Sequence, residues 1–266
     1  VYKRQIIMRT VNNSRRLQIA NYVKQKGEAS VQELSEYFAV SPLTVRRDLT
    51  ALEEQKLLLR YHGGAKALVQ SDTANDNGNY ELDLTSVPRV EEKKRIGEKA
   101  CEFLKNDDII FMNSGSTVLF FQEAIRDKHV TVVTNNARAP FCSKQPGVEI
   151  LSLGGNYMER SKSYVGEITV NTIGGIYSNC TILGVKALDP ERGMTTWNYQ
   201  ACGVNAAMIG HTRGKVILLA DHSKIGKVSN YVSSSLDKID LIITDSGCDP
   251  EAIAAFQEKG VEVIVV

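Results

Sequence analysis

The chain has no apolar run of about 18 residues, the length a membrane-crossing helix needs, and it does not open with the charged, apolar and small-residue signal of an exported protein. Neither a membrane protein nor a secreted one is expected, and the expected compartment is the cytoplasm. Its five cysteines, Cys101, Cys142, Cys180, Cys202 and Cys248, are odd in number and widely spaced, with no Cys-x-x-Cys pair. That pattern builds neither a disulfide framework nor a zinc site, so reduced, mostly buried thiols are expected, with no metal and no cofactor. Internal repeats and low-complexity tracts are also lacking. The 266 residues, 42% hydrophobic and 24% charged, exceed the usual single-domain size, so two soluble domains are expected.

The net charge of only +1 hides an asymmetry. Residues 1–69 carry twelve Lys and Arg against six Asp and Glu, a balance of +6, which leaves −5 for 70–266. The opening VYKRQ resembles the translated end of a sequencing-transposon adaptor, so the natural chain is expected to start at Met8. Without Lys3 and Arg4 the N-terminal balance is still +4. A basic end of this kind suits nucleic-acid phosphate, and the acidic end does not.

The segment SPLTVRRDLTALEEQKLLLRYHGGA (41–65) makes that partner more specific. Ser41 is a good N-cap and Pro42 suits the first helical position. Val45, Leu49 and Leu52 then share one buried helical face. Thr44, Arg46 and Arg47 are left to face a DNA groove, where guanidinium forks grip phosphate or a guanine edge. An isolated Arg-Arg pair on a helix is ordinarily a solvated face, but its surroundings point elsewhere. Helices are expected over 14–26 and 31–40, with a tight turn at Ala39-Val40-Ser41, and LLLRYHGGAKAL reads as two short strands turned at Gly63-Gly64. This is a winged helix-turn-helix whose recognition helix enters the major groove of double-stranded operator DNA. Ser41, Thr44, Arg46, Arg47, Arg60 and His62 form the expected DNA-facing set. His62 either closes the wing turn or donates to phosphate. Asp48 is expected to hold Arg47 or a helix end in place, since a carboxylate near phosphate repels.

Arg15, Ile19, Val23, Ser41, Thr44, Val45, Arg46, Arg47, Asp48 and Leu49 give this segment its resemblance to the DeoR family of bacterial transcriptional regulators, ten positions over 35 residues.

QSDTANDNGN (70–79) is polar and without apolar periodicity, as expected of a linker between a head at 8–69 and a body at 80–266. An amphipathic helix is expected at about 91–105. Apolar runs then follow at 108–112, 130–133, 148–153, 180–185, 215–220, 239–245 and 261–266, reading as strands buried on both faces. Helical stretches at 117–126, 137–144, 200–212 and 250–259 alternate with them. The alternation predicts an α/β fold with a mostly parallel sheet.

Ligands of such sheets bind at the carboxyl ends of the strands. The first run ends in Asn113, Ser114, Gly115, Ser116 and Thr117 before a helix, so backbone N–H groups, hydroxyls and a helix dipole converge as an anion cradle. Thr134 and Asn135, Gly154 and Gly155, and the Asp221-to-Lys224 loop end other strands. A phosphorylated small molecule fits these groups. The order also resembles the DeoR effector domain, similar in fold to ribose-5-phosphate isomerase and the CoA-transferase group. The matching positions are Arg89, Lys93, Ser114 to Thr117, Thr134-Asn135, Gly154-Gly155, Gly166, Gly184, Gly193, Asp221 and Ser223-Lys224. The resemblance implies that Ser114 to Thr117 hold phosphate, that Lys224 meets phosphate or a sugar oxygen, that Thr134 and Asn135 line the sugar, and that Arg89 and Lys93 close the site. Asn179, Gln200 and His222 depart from the family pattern, where acidic residues are common at the first two positions and a small hydroxyl at the third.

The expected function is a regulator, a repressor of a carbohydrate-metabolism operon, that binds DNA as a homo-oligomer (dimer or tetramer) and is released by a phosphorylated sugar. Two other readings stand beside it. One is a sugar-phosphate isomerase carrying a DNA-binding head, with Asp221 its best general base. The other is a regulator that acts through protein contacts and has a vestigial, empty pocket.

Overall fold

In the computed structural model the described residues are 15–23, 26–54, 57–61, 63–67, 82, 84, 85, 87–142 and 145–266. The expected linker and His62 lie outside them. The chain divides into two compact units, Val1–Thr73 and Ala74–Val266. No helix among the described residues is long and apolar enough to cross a membrane.

In the first unit, residues 15–23 (α1) are helical and are followed by β1 (Glu28–Ser30), α2 (Val31–Tyr37), α3 (Pro42–Glu54), β2 (Leu58–Tyr61) and β3 (Gly64–Ala67). Ser30 caps α2 by accepting from the Glu33 N–H. The turn into α3 passes through Ala39 at φ 51°, and Ser35 Oγ closes it by donating to the Val40 carbonyl at 2.5 Å. Ile19, Val23, Leu34, Val45, Leu49, Leu52 and Leu58 are buried together, so the helical spacing of apolar residues in α3 becomes a core. The sheet has three strands in the order β1-β3-β2, all antiparallel, rather than the two expected. At three residues, β1 is too short to show an alternating pattern.

The second unit opens with α4 (Val90–Cys101), β4 (Asp108–Met112), α5 (Thr117–Ala124), β5 (Val130–Thr134) and β6 (Val148–Ser152). A hairpin of β7 (Asn156–Met158) and β8 (Ser163–Val165) leads to α6 (Glu167–Gly174) and β9 (Cys180–Gly184). Then come β10 (Ala187–Asp189), β11 (Gly193–Thr196), α7 (Tyr199–Gly210), β12 (Val216–Leu219), β13 (Tyr231–Ser234), β14 (Leu241–Thr244), α8 (Pro250–Glu258) and β15 (Glu262–Val265). Seven parallel strands form one sheet in the order β15-β14-β12-β9-β4-β5-β6, and β10-β11-β13 make a small antiparallel sheet.

Alternate residues of the central strands feed two cores. Ile110, Met112, Ile182, Ile217 and Leu219 pack with Ile96, Val118 and Phe121 of α4 and α5. Phe111, Leu183, Leu218 and Ile242 pack with Ile173, Val204, Met208 and Phe256 of α6 to α8. The expectation that every strand is buried on both faces therefore holds for the centre and fails at the edges. β6 and β15 have one neighbour each and show partly exposed side chains.

Two helices also differ from expectation. The stretch 137–144 makes a single 3-10 turn, Ala139–Phe141, before Gln145-Pro146-Gly147 leads into β6. EITVNTIG (167–174) is helical although its β-branched residues favour a strand. Burial of Thr169 and Ile173 overrides that preference.

Candidate functional site

In the head, Ser41 Oγ accepts the Thr44 N–H at 3.2 Å and shares a hydrogen bond with Thr44 Oγ1 at 2.9 Å, which starts α3. Leu43, Arg46 and Arg47 are exposed along the same helix, while Val45, Asp48, Leu49 and Leu52 are buried. Asp48, expected from the sequence to hold Arg47 or a helix end, holds α1 and not Arg47. Its two oxygens accept from Arg15 Nε at 2.7 Å and Arg16 Nε at 2.9 Å, tying α1 to the recognition helix. Two short charged hydrogen bonds fix the orientation of the carboxylate.

Arg60 ties the wing to α3. Its Nη1 donates to Thr50 Oγ1 at 2.6 Å, and its backbone N–H donates to Glu53 Oε1 at 3.1 Å. Thr50 in turn donates to the Arg46 carbonyl at 2.9 Å. Arg46, Arg60 and Tyr61 thus border one recess between recognition helix and wing. Three of the expected DNA-facing residues, Thr44, Arg46 and Arg47, sit on one helix, and Arg60 stands beside them.

In the body, a cavity of about 360 Å³ opens at the carboxyl ends of the parallel strands. The loop Asn113 to Thr117, Asn135 and Lys224 line it, as do Arg138, Arg160, Ser161, Ser163, Lys186, Thr196, Trp197, Asn198 and Asn205. Its charged lining is all cationic: among the described residues, no Asp or Glu borders it.

The cradle loop is held from below. Asn113 Nδ2 donates to the Gly184 carbonyl at 2.9 Å and to Asn205 Oδ1 at 3.1 Å, and Asn113 Oδ1 accepts the Gly184 N–H at 2.9 Å. Its amide is spent on the scaffold, so Asn113 positions the loop. Gly115 and Gly184 abut: a Cβ on either would lie 3.2 Å from the other's Cα, so the loop's close approach to β9 leaves little room for a side chain at either position. Asn136 Nδ2 donates to the Gly115 carbonyl at 3.3 Å. Ser116 precedes α5 without spending its hydroxyl on a cap.

Asn135 is the most telling lining residue. It is 2% exposed, and its Nδ2 donates to the Tyr164 carbonyl at 2.8 Å, which fixes the amide's orientation. Its Oδ1 has no hydrogen-bond partner in the protein. A buried acceptor left unpaired costs about 1 to 3 kcal/mol, so a ligand donor is favoured at that atom.

Thr134, Gly154 and Gly155 do not line the cavity. Thr134 Oγ1 accepts the Asn136 N–H at 3.0 Å, and the Gly154 carbonyl accepts from Thr169 Oγ1 at 2.6 Å. Gly155 has φ 137°, and a Cβ there would meet Thr169 Oγ1 at 2.1 Å, so this pair shapes the turn onto α6. Arg89 and Lys93 do not line the cavity either. They stand 3.7 and 3.9 Å from the fully buried Asp221, and the Lys93 ammonium also donates to the Pro88 carbonyl. Burial pushes the Lys93 and Lys224 ammonium groups below the usual lysine range, opposed by the Asp221 charge.

The departures from the family pattern have local roles. Asn179 Oδ1 accepts the Ile109 N–H at 2.9 Å. His222 Nδ1 pairs with buried Asp245 at 2.7 Å, while His222 Nε2 accepts from Arg89 Nε at 3.3 Å. Gln200 lies in the first turn of α7.

Residues 15–71 match the family described as "DeoR-like helix-turn-helix domain", and residues 89–246 match "DeoR C terminal sensor domain". The chain is 33% identical over 230 residues to the "Glycerol-3-phosphate regulon repressor" of Escherichia coli, covering 86% of this chain and 88% of that one. It is 31% identical over 253 residues to the "Uncharacterized HTH-type transcriptional regulator YulB" of Bacillus subtilis, covering 95% and 96%. A solved structure of ribose 5 phosphate isomerase A from Neisseria gonorrhoeae is similar to it with a TM-score of 0.33 at 20% identity, covering 50% of this chain and 52% of that one. Head and body together identify a DNA-binding transcriptional regulator: the chain belongs to the DeoR family, with a helix-turn-helix for DNA and a C-terminal domain for effector sensing.

Proposed function

We propose that the protein is a cytoplasmic repressor of a carbohydrate-metabolism operon, released from its operator when a phosphorylated sugar or polyol occupies the cavity. The head at 8–69 binds DNA through Thr44, Arg46, Arg47 and Arg60, and a linker at 70–79 joins it to the sensing body at 80–266. The observation that carries the reading is the all-cationic charged lining of a cavity built on the Ser114-to-Thr117 loop, with the unpaired Asn135 Oδ1 beside it. An anion satisfies the cations, and a hydrogen-bond donor on the same ligand, O–H or N–H, satisfies Asn135. Sugar and polyol phosphates have both. In this reading Ser114 to Thr117 and Lys224 take the phosphoryl group. The repressor names of relatives, one of them for a glycerol-3-phosphate regulon, support the same class.

One winged head covers too little DNA for regulatory specificity, so the working form is an oligomer that reads two half-sites. Release follows from linkage: an effector that prefers the DNA-incompetent arrangement weakens DNA binding by the factor by which DNA weakens effector binding. The isomerase reading loses support, because its best base, Asp221, does not line the cavity and is engaged by the Ser223 N–H and hydroxyl.

The test uses the full chain and a DNA fragment selected in vitro for binding to it. A panel of sugar and polyol phosphates is expected to contain a compound that releases the fragment, and Lys224→Ala is expected to abolish release while DNA binding persists. Release that survives Lys224→Ala would misplace the phosphate site. Turnover of a sugar phosphate, lost on Asp221→Asn, would restore the enzyme reading.

A further inference from the structure

Arg138, Arg160, Lys186 and Lys224 line the cavity, more positive charge than one phosphoryl group uses, and they are carried by segments on both sides of the cradle loop. Lys224 follows β12 and Lys186 follows β9, on one side of the cradle loop after β4. Arg138 follows β5, on the other side. Arg160 belongs to that second side as well, because its hairpin is tied to the segment after β5. The Ala137 N–H donates to the Lys162 carbonyl at 2.9 Å, the Tyr164 N–H to the Asn135 carbonyl at 2.8 Å, and Asn136 bridges Ser163. Strands β12 and β5 stand three spacings apart in the sheet, about 14 Å. The four lining cations are thus anchored on both sides of the cradle loop, an arrangement that suits two anions better than one.

Arg160 is also held in place. Its guanidinium lies 4.3 Å from the ring centroid of Trp197, another lining residue. Stacking on an indole leaves the edge of the guanidinium fork available for a bidentate anion. Asn135, with its unpaired Oδ1, lines the cavity on the same side of the cradle, at the end of β5.

We infer that the cavity takes a hydroxyl-bearing ligand with two anionic groups, one on the Ser114-to-Thr117 loop with Lys224 and the other on Arg160 against Trp197. The inference rests on the reading of this cavity as a sugar- or polyol-phosphate site and adds the second anion to it. The chemistry is that of a sugar bisphosphate or a phosphorylated sugar acid.

Trp197 is the chain's only tryptophan, so its fluorescence reports on this cavity alone. Full-length protein is titrated with ligands in pairs of matched carbon skeleton at constant ionic strength: glycerol 3-phosphate with 3-phosphoglycerate, ribose 5-phosphate with ribulose 1,5-bisphosphate, and fructose 6-phosphate with fructose 1,6-bisphosphate. In the pair that binds, the two-anion member is expected to bind at least about tenfold more tightly, a difference worth about 1.4 kcal/mol. Calorimetry on Arg160→Gln is expected to bring that ratio close to one. Equal affinities within the binding pair overturn the second anion and leave the phosphate site standing. A preference that survives Arg160→Gln also overturns the assignment, since the second charge is then read elsewhere. Failure of every pair overturns the sugar-phosphate reading itself.

Discussion

Head and body each bury one carboxylate against two cations, and they do so differently. In the head, both oxygens of Asp48 are hydrogen-bonded, to Arg15 and Arg16 at 2.7 and 2.9 Å. In the body, Asp221 is as deeply buried, but Arg89 and Lys93 stand off at 3.7 and 3.9 Å, and its Oδ2 has no hydrogen-bond partner. A hydrogen-bonded ion pair fixes geometry, whereas charges held a further ångström apart attract without fixing orientation. The head's pair is a brace that holds the recognition helix against α1. In the body the carboxylate is oriented by the Ser223 N–H and hydroxyl instead, and Arg89, Lys93 and Lys224 attract it without holding it.

The largest expected effect separates these two arrangements. Asp48→Asn is expected to destabilise the head by about 3 kcal/mol, through loss of two charged hydrogen bonds at a buried site. Asp221→Asn is expected to cost the body less than half of that, as read by chemical denaturation with probes specific to each unit. Equal costs would remove the distinction between brace and loose cluster.

Next comes the reading face itself. Arg47→Ala is expected to weaken operator binding by about 1 to 3 kcal/mol, while leaving the urea midpoint of the head unchanged. Unchanged affinity would take Arg47 out of the interface.

A smaller effect is expected in acid. Burial pushes the Asp245 carboxyl up, but the backbone N–H groups of His222 and Gly247 and the His222 ring outweigh it and hold the group below the usual carboxylate range. A folded pKa below the unfolded one stabilises the body at pH above the unfolded value. The contribution is lost as pH falls through the folded one. Asp245→Asn should therefore flatten the acid side of the body's stability profile. A profile unchanged by the substitution would show that Asp245 contributes no such term.

The smallest effect concerns the thiols. Burial pushes both Cys101 and Cys180 up to about 12, so neither is expected to react with iodoacetamide at neutral pH until the body unfolds. Labelling of either in the folded protein would contradict that burial.

The same contrast explains what the sequence made legible. The recognition helix is a local object, and Ser41, Val45, Leu49 and Leu52 declare its cap and buried face by spacing alone. The holding role of Asp48 is legible there too, but not its partners, which lie more than 30 residues upstream. In the body, strand-end rules found Ser114 to Thr117, Asn135 and Lys224. They missed Arg160 and Trp197, which are carried beside strands of three or four residues, too short to show a pattern. Thr134, Gly154 and Gly155 obeyed the same rule, yet their polar groups are spent on neighbouring backbone and on Thr169.

Coupling between effector binding and DNA binding is best read from its reciprocity. Operator affinity is measured with and without saturating effector, and effector affinity with and without saturating operator, all on the full chain. Each ligand is expected to weaken the other by the same factor, well above one. Effector binding that leaves operator affinity unchanged would contradict the coupling.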